Sequence, residues 1–355
     1  MRITVLSFYD RISLFHSLKP FLFSRHKDLF TFTNKPDYCI KKDKNRILFL
    51  DRWFLKPDHV DIKLLSQLRD KYRVIFFFNG NAGGGIIRPE VLPYVDRFFN
   101  KSLFRDKTLY QKKLYGDELF TDISHKKYGI TDPDPCERQV VNDPTMLDKL
   151  AISWNIGVGD FPKLKYRQRS AVALARTFGA PVAKLFHKNS VLSPDKIPQN
   201  SGQYPVNARW GGPARPTLLH HRTMMLEQIA DDPRFLVGKV SQNQYNREIK
   251  NSKITLSPFG WGEVCFRDFE AVLNGSLLVK PDMSHLETWP DIFIPGETYV
   301  PIEWDGSDLV EKIDFFLNNE SALRKVVQNA FDNYHEQIKT IDDRMDSILN
   351  LIEEY

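Results

Sequence analysis

The chain has 355 residues. Single hydrophobic cores stop growing near roughly 250–300 residues, so two domains are expected. Its 42% hydrophobic and 27% charged residues are ordinary for a soluble globular protein, and no stretch approaches the ~18 uninterrupted apolar residues of a membrane-spanning helix. The net charge of +5 suits an anionic small molecule, an anionic lipid surface or nucleic acid and chooses among none of them; a basic surface without a partner fits equally well.

Cys39, Cys136 and Cys265 are odd in number and far apart, so they imply neither a disulfide framework nor a zinc site. The first residues, Met1–Phe8, are apolar for too short a run to be a signal peptide. The expectation is a cytoplasmic protein, with peripheral membrane contact left open.

In chain order, Ile3–Phe8, Leu29–Thr33, Ile47–Leu50 and Val74–Phe78 are short apolar runs, the last followed by Asn79–Gly85. Continuous apolar runs bounded by turn residues suit strands buried on both faces of a parallel sheet. A helix over Val60–Tyr72 separates two of them. Strands alternating with helices predict α/β architecture. Val95–Tyr115 resists assignment, Asp132–Cys136 is a loop, Ile152–Val158 is expected to run from strand to turn, and Ser170–Phe178 is a helix.

Leu192–Tyr204, with Pro194, Pro198 and Gly202, is the best linker candidate. A second series then follows. Val206–Trp210 is a strand, Gly211–Pro213 a turn, Thr217–Ala230 a helix, Phe235–Val240 a strand, Tyr245–Ser252 a helix and Ile254–Leu256 a strand. A helix over Glu263–Asn274 and a strand over Ser276–Val279 complete it, and the tail from Ser307 is helical. The predicted organisation is an N-terminal Rossmann-like domain over 1–195 and a C-terminal one over 205–320, facing each other across a cleft. Helices over 321–355 would pack back on the first domain.

Ser257–Lys280 is the informative stretch. It reads strand, glycine loop, helix, strand. Gly260 and Gly262, flanking Trp261, let backbone approach a ligand, and the helix start that follows favours an anion. On the predicted helix Glu263, Arg267, Glu270 and Asn274 share one face. Arg267 can offer two parallel hydrogen bonds to phosphate oxygens, and Glu270 can accept both hydroxyls of a ribose. The alternative is an exposed helix with ordinary Glu–Arg pairs. Val264, Phe266, Phe269, Val272 and Leu273 cover the rest of the circumference and argue against it, because buried charges need partners.

Pro258-Phe-Gly-Trp-Gly-Glu263, then Arg267-Asp-Phe-Glu270-Ala, then Asn274-Gly275 resembles the donor-binding motif of GT-B glycosyltransferases, nearest the exostosin-like and family-1-like groups. The resemblance implies that Arg267 contacts the donor diphosphate and Glu270 the ribose. The family pattern sets its two glutamates one residue further apart than Glu263 and Glu270, which leaves a place for Glu263 beside the donor sugar open. The resemblance covers about 245–305 firmly and is absent before 200.

It implies a nucleotide-sugar donor, a glycan or glycolipid acceptor, no nucleic acid and no metal. Without a metal, further cations are needed at the leaving diphosphate, and Arg209 and Arg222 are candidates. The neighbouring His220-His221 pair reads as structural. Asp282, His285 and Glu287 either meet the donor or form a turn.

A general base, if the reaction inverts, is sought at first-domain strand ends among Asp10, Asp96 and Asp160. Asn79–Gly85 lacks the pattern of a nucleoside-triphosphate loop and more plausibly faces the cleft. The basic run Lys163–Arg169 suits an anionic lipid, an anionic acceptor glycan or open solvent. Two other functions compete: a nucleotide-sugar-binding protein without catalysis, and a nucleic-acid-binding protein using the positive charge.

Overall fold

The computed structural model describes residues 1–55, 59–134, 140–161, 164–188, 196–211 and 215–355. Cys136, Lys163, Gly212, Pro213 and residues 192–195 of the expected linker lie outside them. The first half contains β1 (Ile3–Ser7), β2 (Phe30–Thr33), β3 (Ile47–Asp51), β4 (Val74–Phe78), β5 (Arg97–Asn100), β6 (Ser102–Phe104) and β7 (Leu150–Ile152). All but β6 form one parallel sheet in the order β2-β1-β3-β4-β5-β7. Every residue of β1, β3 and β4 is buried, which is why these strands read as unbroken apolar runs. Their connections include α1 (Lys19–Phe23), α2 (Pro36–Lys41), α3 (Ile62–Lys71), α4 (Leu119–Tyr128) and α5 (Lys165–Phe178).

The second half contains β8 (Tyr204–Ala208), β9 (Phe235–Val237), β10 (Ser252–Leu256), β11 (Leu277–Pro281), β12 (Leu286–Thr288) and β13 (Val300–Ile302). All but β12 form a second parallel sheet, β13-β11-β10-β8-β9. Around it lie α6 (Pro216–Ile229), α7 (Gln242–Ile249), α8 (Phe266–Leu273) and α9 (Leu309–Asn318), followed by α10 (Glu320–Lys339) and α11 (Ile341–Asn350). Two parallel α/β sheets facing one another are the GT-B architecture expected from the sequence.

Two devices tie the halves together. β6 pairs antiparallel with β12, Phe104 opposite Leu286 and Ser102 opposite Thr288. The C-terminal helices cross back over the first sheet. Tyr334 donates to the Gly157 carbonyl at 2.6 Å, Arg344 donates to that of Ser153 at 3.2 Å, and Arg97 pairs with Glu354 at 2.6 Å.

Three local expectations are corrected. Val95–Tyr115 holds two strands too short to show a period. The strand near Ile152 ends there, and Ile156–Val158 is a 3₁₀ turn whose start is fixed by the Asn155 side chain accepting from the Gly157 amide at 2.8 Å. The helix expected over Glu263–Asn274 begins only at Phe266. Asp268 accepts from the Cys265 amide at 2.7 Å, and this capping box sets the start. Glu263 therefore stands in the preceding loop, off the helix face it was expected to share with Arg267 and Glu270, and Asn274 is the C-cap.

Candidate functional site

The carboxyl ends of both sheets open on one cavity of about 590 Å³. From the first half it is lined by Ile12, Arg52, Gly80, Ala82, Lys101, Asn155 and Ile156, residues that follow β1, β3, β4, β5 and β7. From the second half come Arg209 and Trp210 after β8, Gly238 and Lys239 after β9, Gly260–Gly262 after β10, and Arg267 and Glu270 on α8. Ligands of open α/β sheets bind at such strand ends. The described lining carries six cations, Arg52, Lys101, Arg209, Arg222, Lys239 and Arg267, against the one carboxylate of Glu270. That imbalance selects an anion.

Arg267 is the second residue of α8, beside the free amides of the helix start. Its guanidinium donates to Ser257 Oγ at 3.3 Å and lies 6.0 Å from the Trp210 ring centre. Arg222, from α6, donates to the carbonyls of Phe259 at 2.9 Å and Gly211 at 2.7 Å. Among the described residues neither has a carboxylate within 4.0 Å. Burial first, and the charge of Arg267 second, lower the Arg222 guanidinium from its ordinary value. Among the described residues, two like charges thus face one space without a salt-bridge partner.

Glu270 is 8% exposed and accepts from Tyr245 Oη at 2.7 Å through Oε2. Its other oxygen has no hydrogen bond among the described residues. Burial and the Glu270 charge raise the Tyr245 phenol far above its ordinary value, so it stays a donor. Arg209 also lines the cavity, but it forms a two-pronged pair with Glu248 at 2.8 and 3.0 Å and donates to the Val237 carbonyl. Its charge is already balanced. Trp261 is 60% exposed at the rim, with the Arg215 guanidinium 5.5 Å from its ring centre.

Gly262 shows why the loop needs glycine. A Cβ there would stand 2.3 Å from the Ala82 carbonyl oxygen, so only glycine lets the loops after β4 and β10 meet. Asn79–Gly85 thus faces the cavity. Beneath it lies a carboxyl pair that the sequence did not suggest. Glu263 accepts from the Gly84 amide at 3.2 Å and Glu118 from the Gly85 amide at 3.1 Å, both fully or nearly fully buried. Burial, then the neighbouring Glu263 charge, raises Glu118 well above the ordinary carboxyl value. Burial would raise Glu263 as well, but His285 and the Glu118 proton outweigh it and hold Glu263 low. His285 Nε2 is 3.7 Å away. The two buried carboxyls, each accepting from a neighbouring amide of the loop after β4, join the two halves from below. Glu263 is buried and aimed at this contact rather than at the cavity.

The three candidate bases separate. Asp10 stands beside the cavity wall, 3.0 Å from Arg52 Nη2, with a third of its side chain exposed. Burial opposes its ionisation, but Arg52 and the Ser13 amide prevail and hold it below the usual carboxylate range. Asp160 is turned away, gripped by Lys19 at 2.9 Å, His187 at 3.3 Å and the Lys188 amide at 3.1 Å. Asp96 lies at the opposite end of the sheet, before β5, paired with Arg69 at 2.8 Å and accepting from the Ile75 amide. Neither Asp160 nor Asp96 lines the cavity.

The sequence reading missed Arg52 and Lys101. Arg52 has φ 51°, as does Tyr9, and Phe54 has φ 52°. Strained non-glycine backbone gathers at functional sites, and here it gathers after β1 and β3. Burial first, and Arg52 second, lower the Lys101 ammonium to about 7, while burial raises Asp51 to about 6. His221, adjacent to Arg222, is buried, stacked 5.0 Å from Phe259 and lowered by burial to about 3. It is part of the packing. Among the described residues no group of three or more His, Cys, Asp or Glu side chains could hold a metal ion. Also among them, no helix is long and apolar enough to cross a membrane.

Residues 220–350 match a family described as glycosyl transferase-like. The span runs from α6 to the end of α11 and includes Arg222, Arg267 and Glu270. No curated protein matches the chain. Among solved structures it is similar to T4 phage BGT in complex with its UDP-glucose substrate, at 11% identity and TM-score 0.43 over 98% of each chain. It is similar to Anabaena Alr3699/HepE in complex with UDP, at 10% identity and TM-score 0.42 over 99% of this chain and 100% of that one. It is also similar to TarM, at 11% identity and TM-score 0.45 over 89% of this chain, which spans 57% of TarM. All three scores lie below 0.5, and the architecture stands on the chain's own strand order.

Proposed function

We propose that the chain is a glycosyltransferase that moves a sugar from a nucleotide-sugar donor to a hydroxyl of a glycan or glycolipid acceptor without a metal. The supporting observation is the pair of uncompensated guanidiniums, Arg222 and Arg267, at the start of α8 with Glu270 one turn further on. A diphosphate placed between them receives charge-assisted hydrogen bonds from both, plus the free amides of the helix start. The ribose hydroxyls then fall to the open oxygen of Glu270, which Tyr245 holds in place. As the glycosidic bond breaks, negative charge grows on the leaving diphosphate, and preset cations lower that barrier without reorganising.

The acceptor occupies the first-half wall. In an inverting reaction Asp10, kept ionised by Arg52, takes the proton of the attacking hydroxyl. The test has two parts. A thermal-shift panel of UDP-, GDP-, CMP- and dTDP-sugars should single out one donor, since a ligand at 100 times its Kd adds about 2.7 kcal/mol. Arg267→Ala and Glu270→Ala should then abolish both the shift and turnover while the fold persists. Normal turnover in both variants refutes the site.

A further inference from the structure

α5 is an unusual surface helix. Its fourteen residues include Lys165, Arg167, Arg169 and Arg176 and no acidic residue. Gln168, Ala171 and Ala175 pack inward. On the outside Tyr166 is 86% exposed and Phe178 72% exposed, and Leu185 in the turn that follows is 78% exposed. Leu164, just before the helix, and Leu174 are exposed too. Isolated apolar side chains on a surface are ordinary, but five large exposed ones within residues 164–185 exceed that pattern.

Helical spacing sorts these residues. Lys165, Arg169 and Arg176 fall on one flank, Leu174 and Phe178 on the other, with Tyr166 on the ridge between. Among the described residues Lys165, Arg169 and Arg176 have no carboxylate within salt-bridge distance. The segment just before the helix touches the donor-side helix α8. Phe161, in that segment, has its ring centre 6.1 Å from that of Phe266, the first residue of α8.

We propose that α5 and the turn ending at Leu185 form a docking surface for an anionic phospholipid bilayer. Tyr166, Phe178 and Leu185 enter the interfacial layer, and Lys165, Arg169 and Arg176 meet the headgroups. A cationic helix without acids, with cations on one flank, exposed apolar side chains on the other and Tyr166 on the ridge between, fits a charged surface with an apolar interior lying against that ridge. A nucleic-acid backbone would use the charges and leave Leu174, Phe178 and Leu185 without a partner. The docking itself does not depend on which donor the cavity takes.

The test is co-sedimentation of the full chain with vesicles of phosphatidylcholine alone and of phosphatidylcholine mixed with phosphatidylglycerol. Strong binding is expected only to the mixed vesicles. Each basic side chain near an anionic surface contributes roughly a factor of five, so a Lys165→Glu, Arg169→Glu, Arg176→Glu variant should bind at least about 100-fold more weakly. A Tyr166→Ser, Phe178→Ser, Leu185→Ser variant keeps every charge and should also lose binding. Both sets change exposed side chains, so circular dichroism melts should match the parent. The single Arg169→Glu variant, with roughly a fivefold loss, serves if the triple variant melts early. Failure of the parent to sediment with mixed vesicles overturns the proposal. So does unchanged binding of the serine variant, or retention of a DNA duplex that is lost with the glutamate variant while vesicle binding is absent.

Discussion

Asp268 holds the start of α8 together, and replacing it by Ala probes the whole donor segment. Its carboxylate accepts from Ser257 Oγ at 2.5 Å and from the Cys265 amide at 2.7 Å, and it pairs with Lys280 Nζ at 3.2 Å. Both charged side chains are completely buried. Removing one partner of a buried pair costs about 3–5 kcal/mol, because the other charge is left without compensation. Here Lys280 would retain the Ser257 carbonyl at 3.3 Å and the faces of Phe259 and Phe293 at 5.3 and 6.0 Å.

The lost cap contributes about 1 kcal/mol of its own. About 5 kcal/mol is therefore expected, a large part of the 5–15 kcal/mol that typically separates folded from unfolded chains. Urea unfolding followed by tryptophan fluorescence measures it. Asp268→Leu combined with Lys280→Met removes both charges and should recover most of the loss. Because Ser257 Oγ also receives Arg267, the single variant should weaken donor binding beyond its effect on folding. A cost below about 1 kcal/mol, or a double variant no better than the single one, would refute the account.

Glu118→Gln tests the raised carboxyl. The raised folded value of Glu118 means that its contribution is complete below the unfolded value of about 4.5 and is lost as pH rises through the folded value. Melting temperatures taken in steps upward from that pH should fall more steeply in the parent than in the variant; parallel curves would contradict the pair. Tyr245→Phe frees Glu270 and should raise the donor KM several-fold with a smaller change in kcat, read from initial rates. Asp10→Asn should lower kcat by about 10²–10⁴ if the reaction inverts. Asp160→Ala, by contrast, should lower the melting point by breaking the buried ion pair with Lys19.

The sheets were legible where burial is two-sided. Ile3–Ser7, Ile47–Asp51 and Val74–Phe78 are unbroken apolar runs because helices or chain cover both faces. Arg267 and Glu270 were legible because a helix carries them at fixed spacing beside a glycine loop. The start of that helix was not. Its N-cap is Cys265, a residue type outside the usual capping set, so the loop before it read as an extra turn and carried Glu263 onto the wrong face. Glu118 was invisible for another reason. Its partner lies 145 residues further along the chain, and no local pattern records a contact made between sheets. The same holds for Asp160, whose grip on Lys19 spans 141 residues and turned a plausible base into a structural anchor.

The antiparallel pair of β6 with β12 bears on how substrates enter. Main-chain hydrogen bonds stitch one half to the other there, and α10 and α11 strap the far side back over the first sheet. A wide swing of the two halves would have to unzip that ribbon or peel away the strap. These contacts make a large relative motion of the halves costly. Access falls to the rim, where Trp261 and the residues after β9 can move without disturbing either sheet, and adjustment during turnover should be sought in those loops.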